Sequence, residues 1–479
     1  MKQIHFHWPL FLLFWLLLYS STATAQPLQQ KNLQAASQML TPPCFAVCNN
    51  LVNQSLPIDT TAILSYGKTN PANYHDPEYP DDCGVDKNDT ICLTNAAAEL
   101  RYQAYFPANS VYSKAQYNSC PLPVMILFHP GGFSDCSGAF GNNAYDTVNA
   151  QMPKYCMDFA RRGFVAINVE YRRGQVPTPD STYSVQQMLI YYMAFQDGRG
   201  MLRTAIHNQR NATSNDKFQI DTNWIFVGGA SAGAAISMHL GYYPTQAMND
   251  QIFLGLRPYM GTLNQDYYVG DTTINYFDRI KGVMCLWGNG FLPLAYNDNP
   301  EDFFENNSNF PALIAFQGKL DKTAKYRKND VFFAPEPEDP EDPNYYSISN
   351  CLRNGGTYSF PGDPDKKDLL SIGPDLIYQY FGNLLTMEYY LDCDMGHGLD
   401  EDPCTSPPHC YKTNFGTVLN NKFDVRRYIV QRSATYFQAI INNIANTLND
   451  SKFVDCENYR SGCSTTDNNA GCSNNNSCQ

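Results

Sequence analysis

The chain is short of positive charge. Against 46 Asp and Glu it carries 33 Lys and Arg, a formal net charge of −13. Such a surface repels phosphate backbones and argues against a nucleic-acid partner. It also offers no basic face for an anionic membrane. Histidine is scarce, at 8 of 479 residues. The cysteines show no paired C-x-x-C spacing, which argues against a structural zinc site. There is no internal repeat, so a propeller or solenoid is excluded. Beyond the first residues no run is apolar for the roughly 20 positions that a membrane span needs.

What is present begins with an export signal. Lys2 supplies a basic start, Trp8 to Tyr19 is an almost unbroken apolar run, and Ala23-Thr24-Ala25 gives a small-residue cleavage pattern. Cleavage before Gln26 is expected, leaving a secreted, periplasmic or extracellular chain with no stable membrane span. All 16 cysteines follow this segment. An even count in an exported chain implies disulfides. Cys44/Cys48, Cys83/Cys92 and Cys404/Cys410 are close enough to close small loops, though spacing fixes no connectivity. Sequons at Asn53, Asn88, Asn211, Asn306, Asn449 and Asn475 are glycosylation sites in a host that glycosylates.

Residues 26–100 are rich in Gln, Asn, Pro and Asp and read as a loop-rich, disulfide-rich N-terminal extension. From about Arg101 the pattern changes. Arg101 to Phe106 resembles a strand ended by Pro107, and short apolar runs at 124–128, 164–169, 224–227, 283–287 and 312–316 end at Gly or Pro or pass into polar stretches. Such runs suit buried strands. Helical patterns lie between them at about 150–162, 185–208 and 234–240. Strands alternating with helices imply an α/β fold with a mostly parallel sheet covered on both faces. A Pro/Asp/Glu-rich stretch at 334–343 marks 322–392 as an insertion with the makings of a lid. Residues 424–447 form an amphipathic last helix. The tail, 451–479, holds Asn, Ser and Cys and too few apolar residues for a core; it is either disulfide-stapled or flexible.

Two motifs carry chemistry. Gly229-Ala230-Ser231-Ala232-Gly233 has the form G-x-S-x-G. A chain this long meets that pattern by chance, so the flanks matter. Trp224-Ile-Phe-Val227 reads as a strand before it, and Ala234 to Leu240 as a helix after it. A serine on such a turn is held strained and exposed, and the helix N-terminus favours developing negative charge. The second motif, His129-Pro130-Gly131-Gly132-Phe133, directly follows the Val124–Phe128 run. Consecutive glycines let backbone N–H groups point at an oxyanion. By itself that segment reads equally well as a Pro-Gly-Gly turn.

With both motifs the chain resembles the α/β-hydrolase superfamily, in its group of carboxylesterases and lipases with an H-G-G-G-type oxyanion loop. Asn168-Val-Glu-Tyr-Arg172 is similar to the N-x-x-Y-R ending of the strand after that loop. The resemblance covers roughly residues 101–445, within a catalytic domain of 101–450. Two positions depart from it. Pro130 replaces the first loop glycine and has no N–H, and Ala230 stands where many such enzymes carry Glu.

The resemblance implies a nucleophile, acid and base in the order Ser, Asp, His. Ser231 is the implied nucleophile, and Gly131, Gly132 and Ala232 the oxyanion donors. Asp321, just past the 312–316 run, suits the acid, with Asp330 as the alternative. After the signal the histidines are His75, His129, His207, His239, His397 and His409. The first four precede the acid. His397, in Met395-Gly-His-Gly398, suits the base, with His409 as the alternative. The implied activity is hydrolysis of carboxylic esters through an acyl-enzyme, with no cofactor or metal. The substrate is a small-molecule or polymer-linked ester, acylated glycans among them. A peptidase of the same fold and a non-catalytic adhesion module are the rival readings.

Overall fold

The computed structural model describes residues 57–68, 99–110, 112–133, 151–172, 183–213, 217–243, 279–293, 310–318, 328–330, 369–381, 386–392, 397–398, 425–441 and 452–454, together with 262–264, 268, 272, 321 and 324. The export segment 1–25, most of the 26–100 extension, His75, His409, the sequons other than Asn211, and most of 451–479 lie outside the described residues.

In chain order the elements are β1 (Ile58–Thr60), β2 (Leu64–Lys68), β3 (Glu99–Pro107), α1 (Lys114–Ser119), β4 (Leu122–Phe128), α2 (Gln151–Ala160), β5 (Val165–Val169), α3 (Tyr183–Arg210), β6 (Ile220–Ala230), α4 (Ala232–Tyr242), β7 (Ile280–Leu286), β8 (Gly290–Pro293), β9 (Ala312–Gly318), β10 (Lys328–Asp330), β11 (Leu369–Ile372), α5 (Pro374–Phe381), β12 (Met387–Asp392), α6 (Val425–Ile441) and β13 (Lys452–Val454). Ten strands form one mixed sheet in the order β1-β3-β5-β4-β6-β7-β9-β12-β13, with β2 also on β3. From β5 to β13 every pairing is parallel, whereas β1, β2 and β5 run antiparallel to β3.

The parallel half follows from the sequence. Parallel neighbours need a crossover, and α2, α3, α4, α5 and α6 each sit between two strands of this sheet. Every residue of β4, β5 and β9 is buried, as expected when helices cover both faces. Their apolar side chains contribute roughly 1.5–3 kcal/mol each on burial. One strand order matters for function. The chain passes from β4 to β5 on one side, then crosses back to β6 on the other side of β4. Crossovers diverge there and leave a crevice at the carboxyl ends of β4 and β6.

Three stretches behave differently from their sequence expectation. Ile58–Thr60 and Leu64–Lys68, within the extension read as loop-rich, are edge strands of the main sheet. Met387–Asp392, within the stretch read as an insertion, is a strand between β9 and β13, and Lys452–Val454 of the tail pairs with it. Off the main sheet, the described part of 322–392 holds α5 and the strands β10 and β11, which with β8 form a small antiparallel sheet, β10-β11-β8. Its strands β8 and β10 begin four and seven residues after Leu286 and Asp321, so it rises from the carboxyl-end side of β7 and β9. Cys156 and Cys285, expected in disulfides, are buried free thiols; the close pairs named above lie outside the described residues.

Candidate active site

Ser231 sits between the last residue of β6 and the first of α4. Its φ of 53° and ψ of −117° are rare for a residue with a side chain. Packing holds it there. Ser231 N donates to Leu286 O of β7 at 2.9 Å, and Ala235 N donates to Ser231 O at 3.1 Å. The turn is pressed against the end of β4. A Cβ on Gly233 would fall 2.1 Å from Phe128 O, and one on Gly229 2.4 Å from the Gly233 carbonyl carbon. Only glycine fits at either flank, which is the physical content of the G-x-S-x-G spacing.

A serine at a helix N-cap ordinarily turns its hydroxyl back to the helix N–H groups. Ser231 makes no such side-chain cap. Its Oγ instead lies 2.8 Å from His397 Nε2. On the other edge of the ring, His397 Nδ1 lies 2.8 Å from Asp321 Oδ2. An ionised carboxylate only accepts, so the neutral ring donates from Nδ1 and accepts the serine proton at Nε2. The Asp321 side chain is fully buried, and that of His397 is 29% exposed. The imidazole therefore has one edge in the protein and one face open.

Asp321 is tightly held. Ala324 N donates to its Oδ1 at 2.8 Å, and Gln317 Nε2 donates to its Oδ2 at 2.9 Å. The same Gln317 amide donates to Ala324 O. In the sequence Gln317-Gly318 stands where the resembled family often carries His-Gly, but that likeness gives Gln317 no role; its other signal is a polar residue after an apolar run, four positions before an aspartate.

The loop after β4 has three successive positive φ values, 135° at Gly131, 60° at Gly132 and 62° at Phe133. Its base is anchored. Tyr171 donates its hydroxyl to His129 O at 2.8 Å and stacks on the His129 ring at 4.2 Å. His129 Nδ1–H donates to Pro130 O at 2.6 Å. The Phe133 ring is buried against Tyr191 at 4.5 Å. Gly131 and Gly132 remain partly or fully exposed. Ala232 is the first residue of α4, beside Ser231.

Ser231, Asp321 and His397 thus meet, and the 129–133 loop follows the strand next to β6. The other candidates do not join them. Asp330 lies in β10 of the small sheet. His207 bonds Asn211 on α3. His239 is fully buried between the rings of Phe195 and Tyr243, and burial holds its pKa well below the usual imidazole range. Among the described residues no group of His, Cys, Asp or Glu is arranged to hold a metal ion.

No family model matches this chain, and no curated protein matches it. Among solved structures it is similar to esterase 2 of Thermogutta terrifontis. The form phosphonylated by cyclosarin is 15% identical, over 72% of this chain and 90% of that one, with a TM-score of 0.37. The apo form is 15% identical over 72% and 90%, with a TM-score of 0.35. The propionate-bound form is 14% identical over 76% and 96%, with a TM-score of 0.35.

Proposed function

We propose that this protein is a secreted serine hydrolase of the α/β-hydrolase type that cleaves carboxylic esters through an acyl-enzyme. The observation that carries the reading is the unbroken chain from Ser231 Oγ through His397 to Asp321, with both links at 2.8 Å. It stands at the carboxyl ends of parallel strands, beside the crevice where crossovers diverge. The strand order, with the first parallel pair reversed as β5-β4 and then continuing β6-β7-β9-β12, supports the same reading.

The chemistry runs as follows. Ser231 Oγ attacks the ester carbonyl while His397 Nε2 takes its proton. Asp321 holds the Nδ1–H tautomer and stabilises the imidazolium that forms. Negative charge develops on the carbonyl oxygen, and the N–H groups of Ala232, Gly131 and Gly132 receive it. Because Ser231 does not cap α4, the first helix N–H groups stay available to that oxyanion. His397 then hands its proton to the leaving alcohol. Water, deprotonated by the same ring, releases the acid and restores the serine. Bound metal or cofactor has no part in this scheme.

The test is hydrolysis of p-nitrophenyl acetate and butyrate, with acetylated and feruloylated sugars beside them. Turnover that disappears in Ser231→Ala supports the reading. Turnover undiminished in that variant removes Ser231 as nucleophile. Export is tested by N-terminal sequencing of the secreted chain, which is expected to begin at Gln26.

A further inference from the structure

We infer that Gln317 is a positioning residue for the proposed hydrolysis, acting through Asp321; the inference rests on the reading above. Gln317 is the penultimate residue of β9 and is fully buried. Its amide nitrogen faces two acceptors at once, Asp321 Oδ2 at 2.9 Å and the carbonyl of Ala324. Turning the amide over would set its oxygen against both, so the chemistry of the neighbours fixes its orientation. Its own Oε1 is buried with no partner among the described residues. A buried amide oxygen without a donor costs free energy. Packing alone is therefore a poor reason for glutamine here; an unbranched apolar side chain such as Met fills similar space without that cost.

The donor works on the oxygen that matters. Asp321 Oδ2 is also the atom that receives His397 Nδ1–H. Ala324 N holds the other oxygen. With Oδ1 and Oδ2 each tied to a different donor, the carboxylate cannot rotate about its Cβ–Cγ bond. The bond to Ala324 O fastens the loop that returns the aspartate to the ring. Gln317 thereby fixes the direction of Nδ1–H, and with it the direction from which Nε2 meets the serine proton. A small misalignment of that kind slows the chemical step far more than it weakens substrate binding.

The experiment compares the wild type with Gln317→Met, which removes both donors, Gln317→Glu, which replaces them with acceptors, and Gln317→His, which restores one N–H at similar reach. Ser231→Ala sets the baseline. Steady-state hydrolysis of p-nitrophenyl butyrate is expected to show kcat about ten-fold lower in Gln317→Met at unchanged KM. Gln317→Glu falls further, and Gln317→His recovers most of the loss. Wild-type kcat in Gln317→Met overturns the inference, and so does equal loss in the Met and His variants. If Gln317→Met does not fold, Glu against His carries the comparison in the same way. The low-field proton NMR signal of His397 Nδ1–H gives a readout without turnover. Its loss in Gln317→Met and retention in Gln317→His support the inference, and an unchanged signal in Gln317→Met overturns it. A wild type that hydrolyses no ester but shows this NMR pattern sinks the proposed function and leaves the role of Gln317 standing.

Discussion

Ser231 Oγ and His397 Nε2 lie 2.8 Å apart although 166 residues separate them in the chain. The link is made by two strand ends, since β6 delivers the serine and the loop after β12 delivers the histidine. The reading as a hydrolase therefore predicts that the three side chains act as a unit. Ser231→Ala and His397→Ala are each expected to lower kcat by at least about 10⁴-fold, and Asp321→Asn by about 10⁴-fold. Ser231→Ala/His397→Ala combined is expected to lose little more than either alone. Additive losses, measured by kcat for p-nitrophenyl butyrate, contradict a shared mechanism.

The strain at Ser231 makes a second, opposite-signed prediction. With φ at 53° and ψ at −117°, its backbone is in a region where glycine is comfortable and any Cβ is not. Ser231→Ala removes the hydroxyl and keeps the strain. Ser231→Gly removes both. The glycine variant is expected to be more stable than the alanine variant by about 1–2 kcal/mol, though equally inactive. Urea denaturation of the two variants checks this, and equal midpoints show that the turn stores no strain.

The parts of the fold that were legible share one property: their burial is written in local composition. Val124–Phe128 and Ala312–Phe316 are apolar throughout, and in the structure they are strands buried on both faces. Met387–Asp392 was not legible, because Glu388 makes it look solvated. That glutamate is buried and paired with Arg432, reaching from α6 with Nε 2.8 Å from Glu388 Oε2. A long-range partner of this kind leaves no mark in the strand's own residues. Ile58–Thr60 failed for the reverse reason, since an exposed edge strand needs no apolar pattern. Ser231 was legible through its glycines, Asp321 through its place after a strand, and His397 through its flanking glycines. Gln317 was not, because its partner Asp321 is defined only by how the loop folds back.

Tyr171 offers a test of the loop after β4. Its hydroxyl donates to His129 O at 2.8 Å, and both groups are buried. Tyr171→Phe keeps the stacked ring and removes one hydrogen bond. The expected cost is about 1–3 kcal/mol of stability, because His129 O loses a buried donor. If the loop supplies oxyanion donors, kcat falls roughly ten-fold with KM nearly unchanged. A variant that loses stability but keeps full kcat separates the anchor from the chemistry.

Behind that loop, Arg172 and Asp197 form a wholly buried ion pair at 2.7 Å. Asp197 also accepts from the Arg172 backbone N–H at 2.7 Å and from the Tyr268 hydroxyl. The aspartate therefore fixes the segment that follows β5 and carries Tyr171. Asp197→Ala leaves the guanidinium buried without its counter-charge, which costs about 3–5 kcal/mol. Thermal unfolding is the measurement. A loss under 1 kcal/mol shows that Gln196 and the Met193 carbonyl, which also accept from Arg172, suffice to hold it.

The buried thiols of Cys156 and Cys285 give the last prediction. Burial pushes the Cys156 thiol well up and that of Cys285 up to about 12, the latter against an opposing pull from hydrogen bonding with the Gly288 backbone. Both stay protonated in the folded chain at pH 8.5, where an unfolded cysteine is about half thiolate. Only the thiolate reacts readily. Iodoacetamide at pH 8.5 is therefore expected to leave Cys156 and Cys285 unmodified in the native protein and to alkylate both in urea, read by peptide mass spectrometry. The sign for stability follows. A folded-state pKa above the unfolded value favours folding fully below the unfolded pKa, and that advantage is lost as pH rises toward the folded one. Urea midpoints are thus expected to fall between pH 9 and 11 in the wild type, and to fall less in Cys156→Ala/Cys285→Ala. Rapid native alkylation of Cys285 contradicts its burial beside the Ser231 turn.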